Sequence, residues 1–332
     1  MSLFSDHSLV GLDVGSGFVK AVRLVKKDHR LVVASAGVTA VPAGAIQGTT
    51  LLDPPALAEA IRQLCRAPGL GGKRAAVALS GQDVFVARLK VECGPAEPLE
   101  ARLRSEAAAI APFPLDSASL DYQVLDNFSH SKWVDALVVA APLGRVDRMV
   151  DLMQRSKKTL AVVEATACAL VNAFQANYEP TPEEVTALVH VGNAILTLVI
   201  VRGSAPLLAR DILLPPAPAA PGQAPLAERV VVEVERLCER LDEIADDHPL
   251  EPRSGKIERL LLSGGAAHTP GLAELLRRRV PVPFEDLNPF RKIDFQDQSP
   301  ASRPVWDHLL CMPVAVGLAL RAFDAAEQPR AA

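Results

Sequence analysis

Up to Leu79 the apolar positions fall in short alternating runs, with one change to a helical spacing. Leu9-Val10-Gly11-Leu12 leads into Asp13-Val14-Gly15-Ser16-Gly17, and Val19, Ala21, Val22 and Leu24 follow. That pattern predicts strand, glycine turn, strand. A third strand is expected over Leu31–Val41, ending at Pro42. From Pro54 to Cys65 the apolar residues Leu57, Ile61 and Leu64 recur at helical spacing behind Asp53, which predicts an amphipathic helix with Asp53 as its N-cap. Ala75–Leu79 is a short buried strand. Beyond it the pattern predicts a strand at Phe85–Val91, a helix at Leu99–Ile110 and a strand pair at Leu120–Leu125 and Val134–Ala140. A helix at Arg145–Gln154, a strand at Ala161–Val163 and a helix at Ala165–Phe174 complete this half. The acidic, proline-flanked stretch Glu179–Glu184 is the boundary between two large halves.

After that break the opening pattern recurs. Val185–His190, Gly192-Asn193, Leu196–Val201 and then Gly203 again read as strand, small polar turn, strand. A recurring hairpin is a weak sign of duplication, because any hairpin has this look. The run PPAPAAPGQAP, Pro215 to Pro225, is a stiff proline-rich linker. Leu226–Ile244 carries apolar residues at Val230, Val234, Leu237, Leu241 and Ile244, one face of a long helix. A strand at Ile257–Leu262 runs into Ser263-Gly264-Gly265, and helices follow at Gly271–Val280 and Val314–Phe323.

Composition narrows the function classes. The chain has 332 residues, about two domains' worth, with 35 basic and 39 acidic residues and a net charge of −4. That balance lacks the basic footprint of a broad nucleic-acid binder. Five scattered cysteines without a CxxC pair exclude a disulfide framework or zinc ribbon. The seven histidines include no pair three or four apart, so helix-borne metal ligands are not expected. The start has no basic n-region followed by an apolar h-region, and Ala187–Val201 is interrupted by His190, Gly192 and Asn193. A soluble protein of a reducing, cytoplasmic compartment is expected.

The glycine turns are the candidate chemistry. Without Cβ atoms, Gly15 and Gly17 let backbone N–H groups approach an anion, with Ser16 and Lys20 adding contacts and Asp13 able to hold a metal's water shell. A plain hairpin is the alternative, since the motif is neither a Walker loop nor GxGxxG. Gly264, Gly265 and Ala266 would let an adenine or ribose lie against the backbone, or they form an ordinary strand-to-helix turn. Three such turns from two similar halves together describe a nucleotide cleft between domains.

Four ordered segments carry a family resemblance: VGLDVGSGFVKAVRL, EAAAIAPFPLDSASLDYQVLD, LLLSGGAAHTPGLAELL with VPFEDLNPF, and MPVAVGLALRAF. Over nearly the whole chain the sequence resembles the actin-like ATPase superfamily. Within it, the sequence resembles the PilM family of type IV pilus assembly proteins, relatives of FtsA. The resemblance implies an α/β, duplicated actin-like (ribonuclease H-like) fold with an inserted 1C-type subdomain and a reduced 2B subdomain. Subdomain 1A would take residues 1–82 and 159–184 with a closing helix at 312–325, and 1C residues 83–158. Subdomain 2A would take 185–214 and 255–311, leaving 215–254 as linker and long helix. The resemblance further implies ATP with magnesium as cofactor. Asp13 would face metal and phosphates, and Gly15, Ser16, Gly17, Lys20, Gly192 and Asn193 would surround the phosphates. Gly264, Gly265 and Ala266 would flank the adenosine. Glu164 matches a position that orients the attacking water, or it serves its helix dipole. Glu235 matches a ribose-contacting position only loosely, and a solvated helix face is the other account.

The chain departs from the family in one half of this site. His190 stands where the second phosphate motif begins with aspartate, and Pro215-Pro216 replaces a glycine pair after Arg210-Asp211-Ile212. Proline lacks an N–H to offer a phosphate. The further 2B subdomain is replaced by the linker. Weak or absent ATP hydrolysis is therefore expected, because turnover needs both halves around the γ-phosphate.

The function implied by resemblance is an interaction protein beneath the pilus inner-membrane platform. It would capture the cytoplasmic N-terminal tail of a PilN-like membrane partner among other platform proteins, or serve a related secretion system. Its groove would draw on Ala111–Leu115 and the neighbouring strand pair. A sugar or small-acid kinase is the alternative of a different class, and it would need a general base such as Asp121 or Asp135. FtsA-like membrane tethering would need an amphipathic C-terminal helix, and DAAEQPRAA after Phe323 is too short and polar for one.

Overall fold

The computed structural model describes residues 9–92, 98–127, 133–214, 224–247, 256–295 and 302–324. The first half opens with β1 (Leu9–Val14), β2 (Phe18–Lys27), β3 (Arg30–Ala40) and a two-residue-per-strand hairpin, β4 (Ile46–Gln47) and β5 (Thr50–Leu51). Helix α1 (Pro54–Leu64) starts as its sequence dictates: Asp53 accepts a hydrogen bond from the Ala56 N–H at 3.0 Å, and a proline sits in the first turn. Strand β6 (Arg74–Leu79) follows. Residues β7 (Phe85–Glu92), α2 (Leu99–Ile110), β8 (Ala118–Asn127) and β9 (Trp133–Pro142) build a separate three-stranded sheet with order β7-β9-β8. Helix α3 (Leu143–Arg155), β10 (Thr159–Ala165) and α4 (Thr166–Asn177) return the chain to the main body.

The second half contains β11 (Val185–Val191), β12 (Ile195–Arg202), β13 (Ala205–Leu213), α5 (Leu226–Asp247), β14 (Arg259–Ser263), α6 (Leu272–Arg279), β15 (Phe284–Asp286), α7 (Arg303–Asp307) and α8 (Pro313–Asp324). The proline-rich run lies outside the described residues save Ala224 and Pro225, as do the tail after Asp324 and the first eight residues.

The two five-stranded sheets have the same plan. One reads β3-β2-β1-β6-β10 and the other β13-β12-β11-β14-β15. In each, an antiparallel hairpin is followed by two parallel additions. The hairpins alone gave only a faint sign of duplication; the strand order makes it explicit.

The layers alternate helix and sheet. On one face of the first sheet, Leu57, Ile61, Leu152 and Met153 of α1 and α3 pack on Val10, Leu12 and Val77. Between the sheets lie α4 and α8, where Leu170, Phe174 and Leu318 meet Leu9 and Ala76 on one side and Leu188, Val199 and Leu261 on the other. On the far face Val230, Val234 and Leu237 of α5 and Leu276 of α6 cover Val189, Leu198 and Leu262. Burial of these aliphatics, at about 25 cal/mol per Å² of apolar surface, drives the assembly. The central layer is tight: a Cβ at Gly317 would lie 1.8 Å from the Ala169 carbonyl oxygen, so α8 crosses α4 only because residue 317 is glycine. This layer fixes the two sheets with the carboxyl ends of β1, β6, β11 and β14 around one cleft, where open α/β sheets bind ligands.

Candidate functional site

The first turn closes with the Gly15 N–H donating to the Phe18 carbonyl oxygen at 3.1 Å. Asp13 and Lys20 are direct cross-strand neighbours, and the Lys20 ammonium lies 2.6 Å from Asp13 Oδ2 with both side chains buried. The ammonium also donates to the Phe18 carbonyl oxygen at 3.2 Å. From the second half, the Gly192 N–H donates to the Ile195 carbonyl oxygen at 2.9 Å, and this presents Asn193. A Cβ at Gly17 would lie 2.2 Å from Asn193 Nδ2, so the two halves touch through this side chain.

His190 stands beside this pair, its Nδ1 3.0 Å from Ser263 Oγ. Burial pushes its pKa down to about 4, with Asp13 opposing and Lys20 reinforcing, so the imidazole is neutral at physiological pH. The third turn serves the fold first. The Gly264 N–H donates to the Leu310 carbonyl oxygen at 2.7 Å and the Ala266 N–H to that of Val191 at 2.9 Å. Gly264 has φ +99°, and a Cβ there would lie 2.2 Å from the Val191 carbonyl oxygen.

Of the residues singled out in the sequence, Asp13, Gly15, Ser16, Gly17, Lys20, Gly192, Asn193 and Gly265 line one cavity between the halves. Gly264 and Ala266 adjoin Gly265 without lining it. Two others are elsewhere. Glu164 accepts a hydrogen bond from Asn172 Nδ2 at 3.1 Å and lies 3.9 Å from Arg321 Nε, at the junction of α4 and α8. Glu235 is paired with Arg279, which donates from Nε at 2.9 Å and from Nη2 at 2.5 Å. Neither side chain lines the cavity. Of the two candidate general bases, Asp135 is buried against Arg88, and Asp121 caps the backbone N–H of Tyr122 at 2.8 Å. Both sit in the three-stranded unit and outside the cavity.

The fold adds residues with no sequence signal. Arg145 and Arg148 of α3 line the cavity, although their spacing is that of an ordinary solvated helix face. Arg145 is held by Asp83 at 2.6 Å and by the Ser80 carbonyl oxygen at 3.1 Å. Asp211 joins the halves: its carboxylate accepts from the Gly81 N–H at 2.7 Å and from the Thr197 hydroxyl at 2.5 Å. Burial raises its pKa to about 6 despite those two bonds. The cavity encloses about 120 Å³. That is below the roughly 300–1,000 Å³ typical of small-molecule pockets.

A second groove of about 390 Å³ runs between α3 and β10, lined by Val146, Val150 and Gln154 on one side and Lys158–Val163 on the other. Among the described residues strand β10 is at the edge of its sheet, with no strand paired to its outer backbone groups. In the region expected to line a groove, Ala111–Leu115, Leu115 is buried in the core of the three-stranded unit with Ala111 and Phe113 half-buried beside it, while Pro112 and Pro114 are exposed. No helix among the described residues is long and apolar enough to cross a membrane.

A family model described as type IV pilus assembly protein PilM matches residues 11–214 and 250–323. Among solved structures the chain is similar to a PilM-PilN type IV pilus biogenesis complex. The match has TM-score 0.79 at 23% identity, over 96% of this chain and 99% of that one. A Bacteroides thetaiotaomicron protein with an actin-like ATPase fold matches with TM-score 0.47 at 9% identity, covering 86% of this chain and 93% of that one. The cytoplasmic domain of EpsL, an inner-membrane component of the Vibrio cholerae type II secretion system, matches with TM-score 0.45 at 12% identity, covering 94% of each chain.

Proposed function

The chain belongs to the PilM family of type IV pilus assembly proteins and has the actin-like ATPase fold, and from that premise we propose that it is a cytoplasmic docking platform for the pilus machine. In this role it captures the extended N-terminal tail of a PilN-like membrane protein and is held at the inner membrane through that partner. The observation that carries the proposal is the likeness, over nearly all of both chains, to a chain of a PilM-PilN type IV pilus biogenesis complex.

The groove between α3 and β10 suits such a tail. An extended peptide laid along β10 would pair with its outer backbone groups, while Val146 and Val150 would receive alternate side chains. The test is a calorimetric titration of the partner's tail peptide into the full chain. Val150→Asp, a charge in the groove, is expected to weaken binding about tenfold or more, roughly 1.4 kcal/mol. Ile110→Asp, at an exposed position on α2, is expected to leave it unchanged. Equal affinities for Val150→Asp and the wild type would place the tail elsewhere.

The cleft between the halves is proposed to hold the phosphates of a nucleotide without hydrolysing it. Ser16, Gly17 and Lys20 would contact phosphate and Gly265 would face the nucleoside, in keeping with their shared cavity. Turnover is not supported by the second half, where neutral His190 and the amide of Asn193 offer no carboxylate to position metal or water.

A further inference from the structure

The cleft is lined by three side-chain cations, Lys20, Arg145 and Arg148, and by the carboxylate of Asp13, with Arg145 already paired to Asp83. The Asp13 carboxylate is engaged, with the Lys20 ammonium 2.6 Å away and both side chains shielded from water. A magnesium ion takes a near-octahedral oxygen shell, anchored as a rule by one or two carboxylates besides phosphate. A magnesium ion or its water shell drawing on the Asp13 carboxylate would compete with a buried ammonium already on Oδ2. From the other half the side chains at the corresponding places are an imidazole and an amide, His190 and Asn193. Among the described residues no three metal-ligating side chains cluster anywhere. The residues present do not fit magnesium.

They do fit phosphate oxygens. Only the Gly15 N–H is used to close the first turn, and the N–H groups of Ser16 and Gly17 donate to no atom of the described residues. The Ser16 hydroxyl adds a donor at the cavity wall, and Asn193 brings its Nδ2 to Gly17 from the opposite half. Arg148 is exposed at the rim and makes no ion pair among the described residues. We infer that this cleft binds a polyphosphate anion, either a nucleotide's phosphate chain or inorganic polyphosphate, without a divalent metal, the Lys20 ammonium supplying the positive charge that magnesium supplies elsewhere. The inference rests on the cleft being a phosphate site and is independent of tail capture.

The test is calorimetry of the full chain with inorganic tripolyphosphate, first in EDTA and then in excess magnesium. Saturable binding is expected in EDTA, and magnesium should not tighten it by more than about twofold. Asp13→Asn separates the alternatives by sign: a metal-free anion site keeps or gains affinity when this carboxylate is neutralised, whereas a magnesium site loses it. Arg148→Glu, an exposed change that leaves the core alone, is expected to weaken binding about tenfold and carries the test if Asp13→Asn proves unstable. ATP and ADP titrated in EDTA identify the source, since a nucleotide site prefers ATP to tripolyphosphate and a polyphosphate site does not. Binding that appears only with magnesium, or that Asp13→Asn abolishes, overturns the inference while the cleft remains a nucleotide site. Absence of binding by every anion with or without magnesium overturns both and leaves tail capture untouched.

Discussion

The two sheets share one strand order, yet the glycine turns at their carboxyl ends serve different needs. In the first half a Cβ at Gly15 would meet the Lys20 ammonium at 3.0 Å, and one at Gly17 would meet the Asn193 amide at 2.2 Å. These nearest obstacles are the ends of side chains, although a Cβ at Gly15 would also meet the Phe18 carbonyl oxygen at 3.3 Å. In the second half a Cβ at Gly192 would meet the Ile195 carbonyl oxygen at 2.8 Å, and one at Gly264 the Val191 carbonyl oxygen at 2.2 Å. Those obstacles are backbone and cannot move. The first half therefore has glycine where side chains converge on a cleft, and the second has it where strands must join. The same division appears in the charges. The first half retains a buried acid and base in contact, and the second has an uncharged imidazole and amide at the matching turn.

The largest expected difference between the halves is in stability. Gly264→Ala puts a methyl group against backbone at positive φ, and a loss of about 3 kcal/mol is expected in denaturant unfolding. Gly17→Ala needs only Asn193 to swing away, and a loss below about 1 kcal/mol is expected. Equal losses would erase the distinction.

Acid should act on the second-half turn next. His190 is held neutral with a pKa of about 4 against an ordinary 6.5, so the unfolded chain binds the proton more tightly. Its contribution is complete above pH 6.5 and is lost as pH falls towards 4, by about 2 kcal/mol. His190→Gln should flatten that loss in unfolding curves taken between pH 7 and 4.5.

Asp211 has the opposite sign. Its folded pKa of about 6 lies above the ordinary 3.8, so the protonated form is favoured by the fold, and stability falls as pH rises from 4 to 6. Asp211→Asn should therefore stabilise at pH 7.5 by about 1 kcal/mol, the carboxyl being partly solvated, and make no difference near pH 4. The smallest effect is in catalysis: phosphate release from magnesium-ATP should match that of Asp13→Ala. A rate that Asp13→Ala removes would mean that the second half still supports turnover.

Much of this was legible in the sequence. The hairpins, the Asp53-capped helix and the long helix follow from periodicity and capping, and each lies within a few residues of its expected bounds. Strand β13 was not predicted, because Arg210 and Asp211 interrupt its apolar pattern and Asp211 points its chemistry at the other half of the chain. Three-residue β15 and the β4–β5 hairpin are too short to carry a period. In the site, the turn residues adjacent in sequence were legible and the distant ones were not. The bond from Gly81 to Asp211 spans 130 positions. Glu164 and Glu235, expected at the nucleotide from the resemblance and the second only loosely, turn to Asn172 and Arg279, partners that only the packing of α4 and α6 reveals.

Tail capture and phosphate binding are separate capacities in this account, placed in different grooves. The direct test is calorimetry of the PilN-like tail peptide against the full chain, in EDTA without nucleotide and again with magnesium-ATP. The account predicts saturable binding of similar affinity, within about threefold, in both buffers. Binding that requires magnesium-ATP would contradict it.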